Sequence, residues 1–436
     1  MLMGVLMGVA LAATPVTLDE VRAKSRENLE SLRAVLNAER AVLQQTQARA
    51  GLLPQVSAFA SGGAQYNGPR EEYYTAPDGS VSPLRIEESR YGAMNLGVSV
   101  RQLIYDGAVW ARLRAAGAIA EATKGEAEEQ MDASELEGIR RFFDLYRAQE
   151  TLKVMRESVL RSEQQVTIAE SLYAAGRAPQ SDVLNARINL GNDRIGEINQ
   201  RSAVANAQAD LAAWLRMKGT TELVAQDPGE TPIDSRVGAI EDAVQTAEGH
   251  RPLLVSLQQR VKAAEATRSQ ARAAFAPRVS LFGQYNRSAP YADLFFTRWG
   301  LQNSLNGGLQ VEWDLFNGFA DRAGVDLASR DVIEAEATYQ QTRRDIEADI
   351  RKAWMAVNLL TEAEAISEAN RDTAREALAA LNERFRAGLA TQLEVRDSEL
   401  KVTQAELNLV QSRLDVEVAK ATLERVIGTL SGGKRS

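Results

Sequence analysis

The stretch Ala48-Arg49-Ala50-Gly51-Leu52-Leu53-Pro54-Gln55-Val56-Ser57-Ala58-Phe59 returns 223 positions later as Ala271-Arg272-Ala273-Ala274-Phe275-Ala276-Pro277-Arg278-Val279-Ser280-Leu281-Phe282. Proline disfavours helix in the residue before it, so a helix ends at Pro54 and again at Pro277. Beyond each proline the apolar period drops to two, the mark of a strand. A helix-to-strand junction that occurs twice points to a duplicated unit.

Two further anchors follow in the same order. Gly97-Val98-Ser99-Val100, with Leu103-Ile104-Tyr105-Asp106-Gly107, returns as Gly308-Leu309-Gln310-Val311, with Asp314-Leu315-Phe316-Asn317-Gly318, now 211 positions on. Tyr173-Ala174-Ala175-Gly176 returns as Phe385-Arg386-Ala387-Gly388, 212 positions on. The change of shift places an extra 12 residues of the first copy between Pro54 and Gly97. Length differences of this kind belong in loops, where they cost little.

Within each copy the pattern predicts helix, strand, strand, long helix, helix. Thr17-Leu18-Asp19-Glu20 is a capping box, and a helix is expected from there to about Leu53. Its counterpart runs from about Gly238 to Ala276. Strands are expected at about 55–67 and 91–106, then at about 278–288 and 304–317. Leu309, Val311, Trp313 and Leu315 alternate there with Gln310, Glu312 and Asp314. Segments 67–89 and 288–303 are polar and Gly/Pro-containing and read as exposed loops. After Gly107 and Gly318 a helical pattern persists for about 68 residues, roughly 100 Å of helix. Gly176 and Gly388 stand where a left-handed C′ residue ends such a helix. Returning helices follow over 180–218 and 392–427, with Leu400, Leu407, Leu414 and Ala421 at seven-residue spacing. The two shorter helices of a copy together match its long one in length.

Composition narrows the function. A formal charge of −8 argues against a nucleic-acid surface. The absence of cysteine removes disulfides, thiolate nucleophiles and zinc–sulfur sites. The single histidine, His250, reads as a solvated helix residue. No phosphate loop, His-based metal spacing or Ser/His/Asp set is present, so neither an enzyme nor a cofactor is expected. Residues 1–12 end in Ala10-Leu11-Ala12 after an apolar run and read as a signal peptide. No later run approaches the ~18 apolar residues of a membrane helix, so a membrane could be crossed only by strands. Strands of about ten residues span a bilayer when tilted. Four strands cannot close a barrel, and open edges do not survive in lipid, so several copies must share one.

On these anchors the sequence resembles the TolC-like outer-membrane efflux protein family over nearly its whole length. The resemblance implies a mostly α fold with a membrane β-barrel portion. It implies a homotrimer with four strands per chain, a twelve-stranded barrel and a twelve-helix α-barrel tunnel. It also implies a Gram-negative outer-membrane location, a periplasmic adaptor and an inner-membrane pump or ABC exporter as partners, in multidrug efflux or type I secretion. The two repeats are placed at 13–218 and 238–428, with a linker at 219–237 and a tail at 429–436. Helix–strand junctions lie at Pro54, Pro277, Gly107 and Gly318.

The resemblance also implies a periplasmic gate. Acidic residues six and nine positions past the second turn glycine are Glu394 and Asp397; the first copy has Asp182 and Asn185. Three chains would bring six carboxylates to a cation-attracting ring. A plainer role competes: Thr391-Gln392-Leu393-Glu394 is a capping box, and Asp182 suits a helix N-terminus. Where the family has a tyrosine and a basic residue to latch the closed state, this sequence has Phe385 and Ala390, leaving Arg386 and Arg177 as the nearby cations. Arg101, Glu312 and Asp314 are expected to face the barrel lumen, and Trp313, Tyr105 and Phe316 to be interfacial aromatics or core. A periplasmic adaptor would instead show one hairpin between small β domains. A structural coiled-coil protein would need no prolines that switch the period.

Overall fold

The computed structural model describes residues 14–218, 222–229, 240–289, 292–297 and 303–430. The expected signal segment and most of the expected linker fall outside them. The chain opens with β1 (Thr14–Val16), α1 (Leu18–Ser25), α2 (Leu29–Ala50), β2 (Gln55–Asn67), β3 (Arg70–Thr75) and β4 (Val81–Ile86). It continues with β5 (Ser89–Tyr105), α3 (Gly107–Ala174), α4 (Gln180–Trp214), β6 (Leu223–Ala225), α5 (Ile240–His250) and α6 (Pro252–Arg272). It ends with β7 (Arg278–Ala289), α7 (Ala292–Thr297), β8 (Asn303–Glu312), α8 (Ala320–Arg386) and α9 (Gln392–Ile427). Two compact units result: a strand unit of residues 40–120 and 259–336, and a helical unit of 1–39, 121–258 and 337–436.

In the strand unit an antiparallel sheet runs β2-β5-β7-β8. Register sorts its faces. Ala58, Val98, Tyr285 and Leu305 form one cross-strand row, and Ser57, Ser99, Gln284 and Asn306 form the next. Apolar and polar rows therefore lie on opposite faces, as the pleat requires. The apolar face is bare: Val56, Leu305, Leu309 and Val311 are all more than half exposed. Phe59 lies over Gly97, where an added Cβ would come within 2.4 Å of the ring. Among the described residues β2 pairs only with β5 and β8 only with β7, so the sheet has two open edges.

Several expectations are corrected here. Segment 67–89 is not a loop but contains the β3–β4 hairpin, paired from Arg70↔Ile86 to Thr75↔Val81. Its turn carries Gly79 at φ +85°, with Asp78 accepting from the Ser80 amide at 3.0 Å. Tyr73, Tyr74 and Val81 are strand formers, and Asp-Gly is a hairpin signal that polar composition hid. Segment 288–303 contains the helix α7. The last strand stops at Glu312 rather than 317, because its partner begins at Arg278, just after Pro277, which has no N–H to offer a ladder.

In the helical unit α8 has 67 residues and α3 has 68. The first helix of each copy is broken, contrary to expectation. Asn28 Oδ1 accepts from the Ser31 amide at 2.8 Å and caps α2. Pro252 opens α6, a position where a missing N–H costs nothing. Phe142, Phe143, Leu145 and Leu211 pack in one core, and Ile346, Ile350, Leu423 and Ile427 in another. Along α9 the buried column is Val395, Val402, Leu409, Val416 and Leu423, again at seven-residue spacing, while Leu400 is 49% exposed. Of the expected column, Leu414 and Ala421 are buried in the core, while Leu400 at its turn end is not. Arg22 and Arg26 tie α1 to Glu135 and Asp132 of α3 at 2.6–2.8 Å. The linker is not featureless: β6 pairs in parallel with β1. His250 is exposed.

A candidate gate at the helical turns

Both long helices close in the same way. Gly176 has φ +69° and Gly388 +75°, the left-handed conformation that glycine adopts without a Cβ penalty. Around the first, the Gly176 amide donates to Tyr173 O at 2.9 Å and Arg177 N to Leu172 O at 2.8 Å. Around the second, Gly388 N donates to Phe385 O at 2.9 Å and Leu389 N to Arg384 O at 2.8 Å. These are Schellman closures, which satisfy carbonyls left over at a helix end.

The returning helices start differently. At α9 the Thr391 amide donates to Glu394 Oε2 at 2.6 Å, and Glu394 N donates to Thr391 Oγ1 at 3.3 Å. The backbone and hydroxyl of Thr391 hold the Glu394 carboxyl below the usual carboxylate range. At α4 the N-cap is Pro179, which has no side-chain hydrogen bond to give, and Asp182 accepts nothing from a reciprocal cap. Asp397, one turn past Glu394, is 62% exposed and lies 2.7 Å from Lys401 Nζ.

Between the turns lies a cleft of about 410 Å³, lined by Leu172, Arg177, Asp182, Phe385, Arg386 and Ala390 among others. The structure thus brings Asp182, Phe385, Ala390 and the two arginines together. Glu394 and Asp397 do not line this cleft; both are exposed on α9. Arg386 is drawn instead to Glu383 at 2.8 Å.

Sequence reasoning missed the buried charges just beyond. Arg396 of α9 makes two 2.8 Å bonds to the Asp193 carboxylate of α4. Ser162 of α3 also donates to Asp193 and receives Arg396 Nη1 at 3.2 Å. Burial pushes the Asp193 carboxyl up, but Arg396 and Ser162 outweigh it and hold it below the usual range. Glu399 has the opposite balance, and burial pushes it up. One level further, Glu406 receives Arg375 at 2.6 Å and Arg161 at 3.4 Å. A signal existed: Glu399 and Glu406 are seven apart beside the apolar column Val395-Val402-Leu409, where solvated charge is not expected.

In the strand unit the polar sheet face carries Arg101 and Glu312 by register. Arg278 bridges Glu312 at 3.5 Å and Asp314 at 2.9 Å. Trp313 is mostly exposed, its indole N–H donating to Phe275 O at 3.1 Å. Phe316 stands edge-on to Phe319. At the junctions, a Cβ on Gly107 would lie 3.0 Å from that of Ala273, and Gly318 has φ +70°. Among the described residues no group of three or more His, Cys, Asp or Glu could hold a metal ion. No helix among them is long and apolar enough to cross a membrane.

Comparison with known proteins gives a consistent result. The outer membrane efflux protein family model matches residues 21–215 and 243–429. Protein CyaE of Bordetella pertussis is 26% identical over 214 residues, 49% of this chain and 44% of that protein. Outer membrane protein OprJ of Pseudomonas aeruginosa is 23% identical over 283 residues, 64% of this chain and 57% of that one. The chain thus spans about half the length of the curated relatives it matches. The crystal structure of a Pseudomonas aeruginosa membrane protein superposes with TM-score 0.80 at 21% identity, over 94% of this chain and 90% of that one. At that identity the likeness is one of fold.

Proposed function

The chain belongs to the outer membrane efflux protein family, and from that premise we propose that it is a subunit of a passive channel-tunnel in a Gram-negative outer membrane. Three copies share one barrel of twelve strands, continued by twelve helices through the periplasm. A periplasmic adaptor and an inner-membrane pump or ABC exporter deliver the substrate, for efflux or type I secretion. The chain does no covalent chemistry. Residues 13–218 and 238–428 are its two repeats, 219–237 the linker, and 1–12 the signal peptide.

The observation that carries this reading is the sheet. Its apolar face is exposed and both its edges are unpaired. In water that is an aggregation hazard; in lipid an apolar outer face is what a barrel needs, provided copies close edge to edge. Arg101, Glu312 and Asp314 then face the lumen.

At the helical turns Asp397, Glu394 and Asp182 form the gate. Six carboxylates from Asp397 and Glu394 of three chains make the constriction cation-attracting. Glu394 has a second role there, capping α9. The test is reconstitution of detergent-extracted protein in a planar bilayer. A heat-sensitive trimer with cation-preferring conductance is expected, and Asp397→Asn should weaken the preference. A soluble monomer that forms no conducting pore would sink the channel reading. A pore whose ion preference ignores Asp397 would sink the gate assignment alone.

A further inference from the structure

The polar face of the sheet carries two aromatic rings that a hydrated wall does not need. Phe59 of β2 and Phe282 of β7 stand there among Ser57, Ser61, Ser99, Gln284 and Asn306. Each lies across a glycine of a neighbouring strand, Phe59 in register with Gly97 and Phe282 with Gly308. A Cβ on Gly97 would come within 2.4 Å of the Phe59 ring, and one on Gly308 within 3.5 Å of the Phe282 ring. Without a Cβ, each glycine lets a ring lie down against the wall. Covering a cross-strand glycine in this way stabilises a sheet, which accounts for the inner face of each ring. It leaves the other face unused: Phe59 is still 43% exposed and Phe282 37%.

The two pairs are one feature present twice. Each phenylalanine stands five residues past the proline that ends a helix, Pro54 or Pro277. Each glycine stands ten residues before the next junction glycine, Gly107 or Gly318. Both pairs are therefore at one level, counted from either end of the strands. Along β5 the register partner of Phe59 is Gly97, and that of Phe282 is Arg101, four residues further on. A slant of this kind across two strands is the stagger that tilted barrel strands require. In the order β2-β5-β7-β8 the rings occupy every second strand. Edge-to-edge closure of three such sheets keeps that spacing and sets six rings around one level of the lumen.

The surroundings of the two rings differ in charge. Phe59 has Ser57 and Ser61 on its own strand and Gly97 across from it. Phe282 has Arg101 across from it on β5. Arg101 is exposed and, among the described residues, makes no ion pair. Arg278, the next cation on this face, is taken up by Glu312 and Asp314. A free guanidinium one strand spacing, about 4.8 Å, from a bare ring fits a ligand with a flat apolar body and one anionic end.

We propose that Phe282 and Arg101 form a wall site in the barrel for amphipathic anions, a planar aromatic body bearing a carboxylate or sulfonate. Phe59 supplies a second ring at the same level. The inference rests on the reading in which the polar face lines the lumen. It gives the barrel a charge preference opposite to that of the acidic turns.

The probe is 2-naphthalenesulfonate, and the full chain is placed in nanodiscs of zwitterionic lipid. Saturation-transfer NMR reads binding against empty nanodiscs. The signal should fall about fivefold in Arg101→Gln and in Phe282→Leu, which keeps apolar bulk but removes the ring. Phe59→Leu should lower it about twofold, and Arg101→Lys should retain most of it. Changes on a lumen face tune selectivity rather than break the barrel. 2-Naphthylmethylammonium, with a similar ring and the opposite charge, should give little signal, as should methanesulfonate, which has the anion and no ring. A sulfonate signal that no variant changes, or one no stronger than in empty nanodiscs, would overturn the site. An equal signal from the ammonium would overturn it as well. Conductance and native mass are measured on the same preparations. A conducting trimer without a variant-sensitive signal leaves the channel reading standing, whereas a monomer that forms no pore would overturn both.

Discussion

At the first turn Arg177 N closes on Leu172 O, and at the second Leu389 N closes on Arg384 O, both at 2.8 Å, around glycines of nearly equal φ. The residues that follow share nothing comparable. Pro179 opens α4 with no side-chain cap, whereas Thr391 and Glu394 open α9 by capping each other. Duplication has kept the backbone solution and let the side chains part. The carboxylate of Glu394 is tied into a cap, while Asp182 of the first copy lies in the cleft with Arg177 and Arg386. The two copies are then joined by Arg396 of the second and Asp193 of the first.

That junction should show the largest effect. Arg396→Leu leaves Asp193 charged and half-shielded, and is expected to cost about 2 kcal/mol. This is less than a fully buried pair costs, because the side chains keep 15% and 12% exposure. Chemical denaturation of the detergent-solubilised protein measures it, and the double change with Asp193→Leu should recover most of the loss. The depressed Asp193 carboxyl adds a sign. Its stabilisation is present above the ordinary carboxylate range and is lost as pH falls through its lowered value. The gap between wild type and Arg396→Leu should therefore narrow in acid. A gap that widens would break the assignment.

Next in size are the turn glycines. Gly176→Ala and Gly388→Ala each place a Cβ in the left-handed region, at about 1–2 kcal/mol. No neighbour crowds either site, so the two losses should be equal. Unequal losses in the same denaturation series would show that the turns differ in more than their caps.

The smallest effect isolates the difference itself. Thr391→Ala should cost about 1 kcal/mol. Pro179→Thr should gain less than that, since threonine frees the unfolded chain that proline restricts. Thr391→Ala should also raise the Glu394 carboxyl toward its ordinary value, observable in an NMR pH titration. A carboxyl that does not move would mean that the Thr391 hydroxyl contributes nothing and that the backbone amide of residue 391, which alanine keeps, alone holds it down.

The sequence made the long helices, the two turns and the sheet legible for local reasons. Period, proline and glycine each act within a few residues. It concealed whatever depends on contact at a distance. Asn28 reads as an ordinary helix residue until its side chain is seen capping α2. Leu400 and Val402 belong to equally regular apolar columns, and only packing shows that Val402 is the buried one. Asp193 and Arg396 lie 203 positions apart, so their pairing leaves no mark in either neighbourhood. The gate carboxylates were legible as positions, but their unlike partners, Thr391 for Glu394 and Lys401 for Asp397, emerge from the geometry.

The sheet carries a consequence for how the chain is made. β2 and β5 can zip together once residue 105 has been synthesised, but the other edge of β5 waits for β7, which begins at Arg278. At about 5–20 residues per second, the partner of that edge is made about nine to thirty-five seconds later. Pairing across so long a stretch is also slow by topology. A chain in which only β2 and β5 have paired is a half-built sheet with an apolar face and a free edge. Its yield in the cell should depend on an escort that covers that edge before a neighbouring nascent chain does.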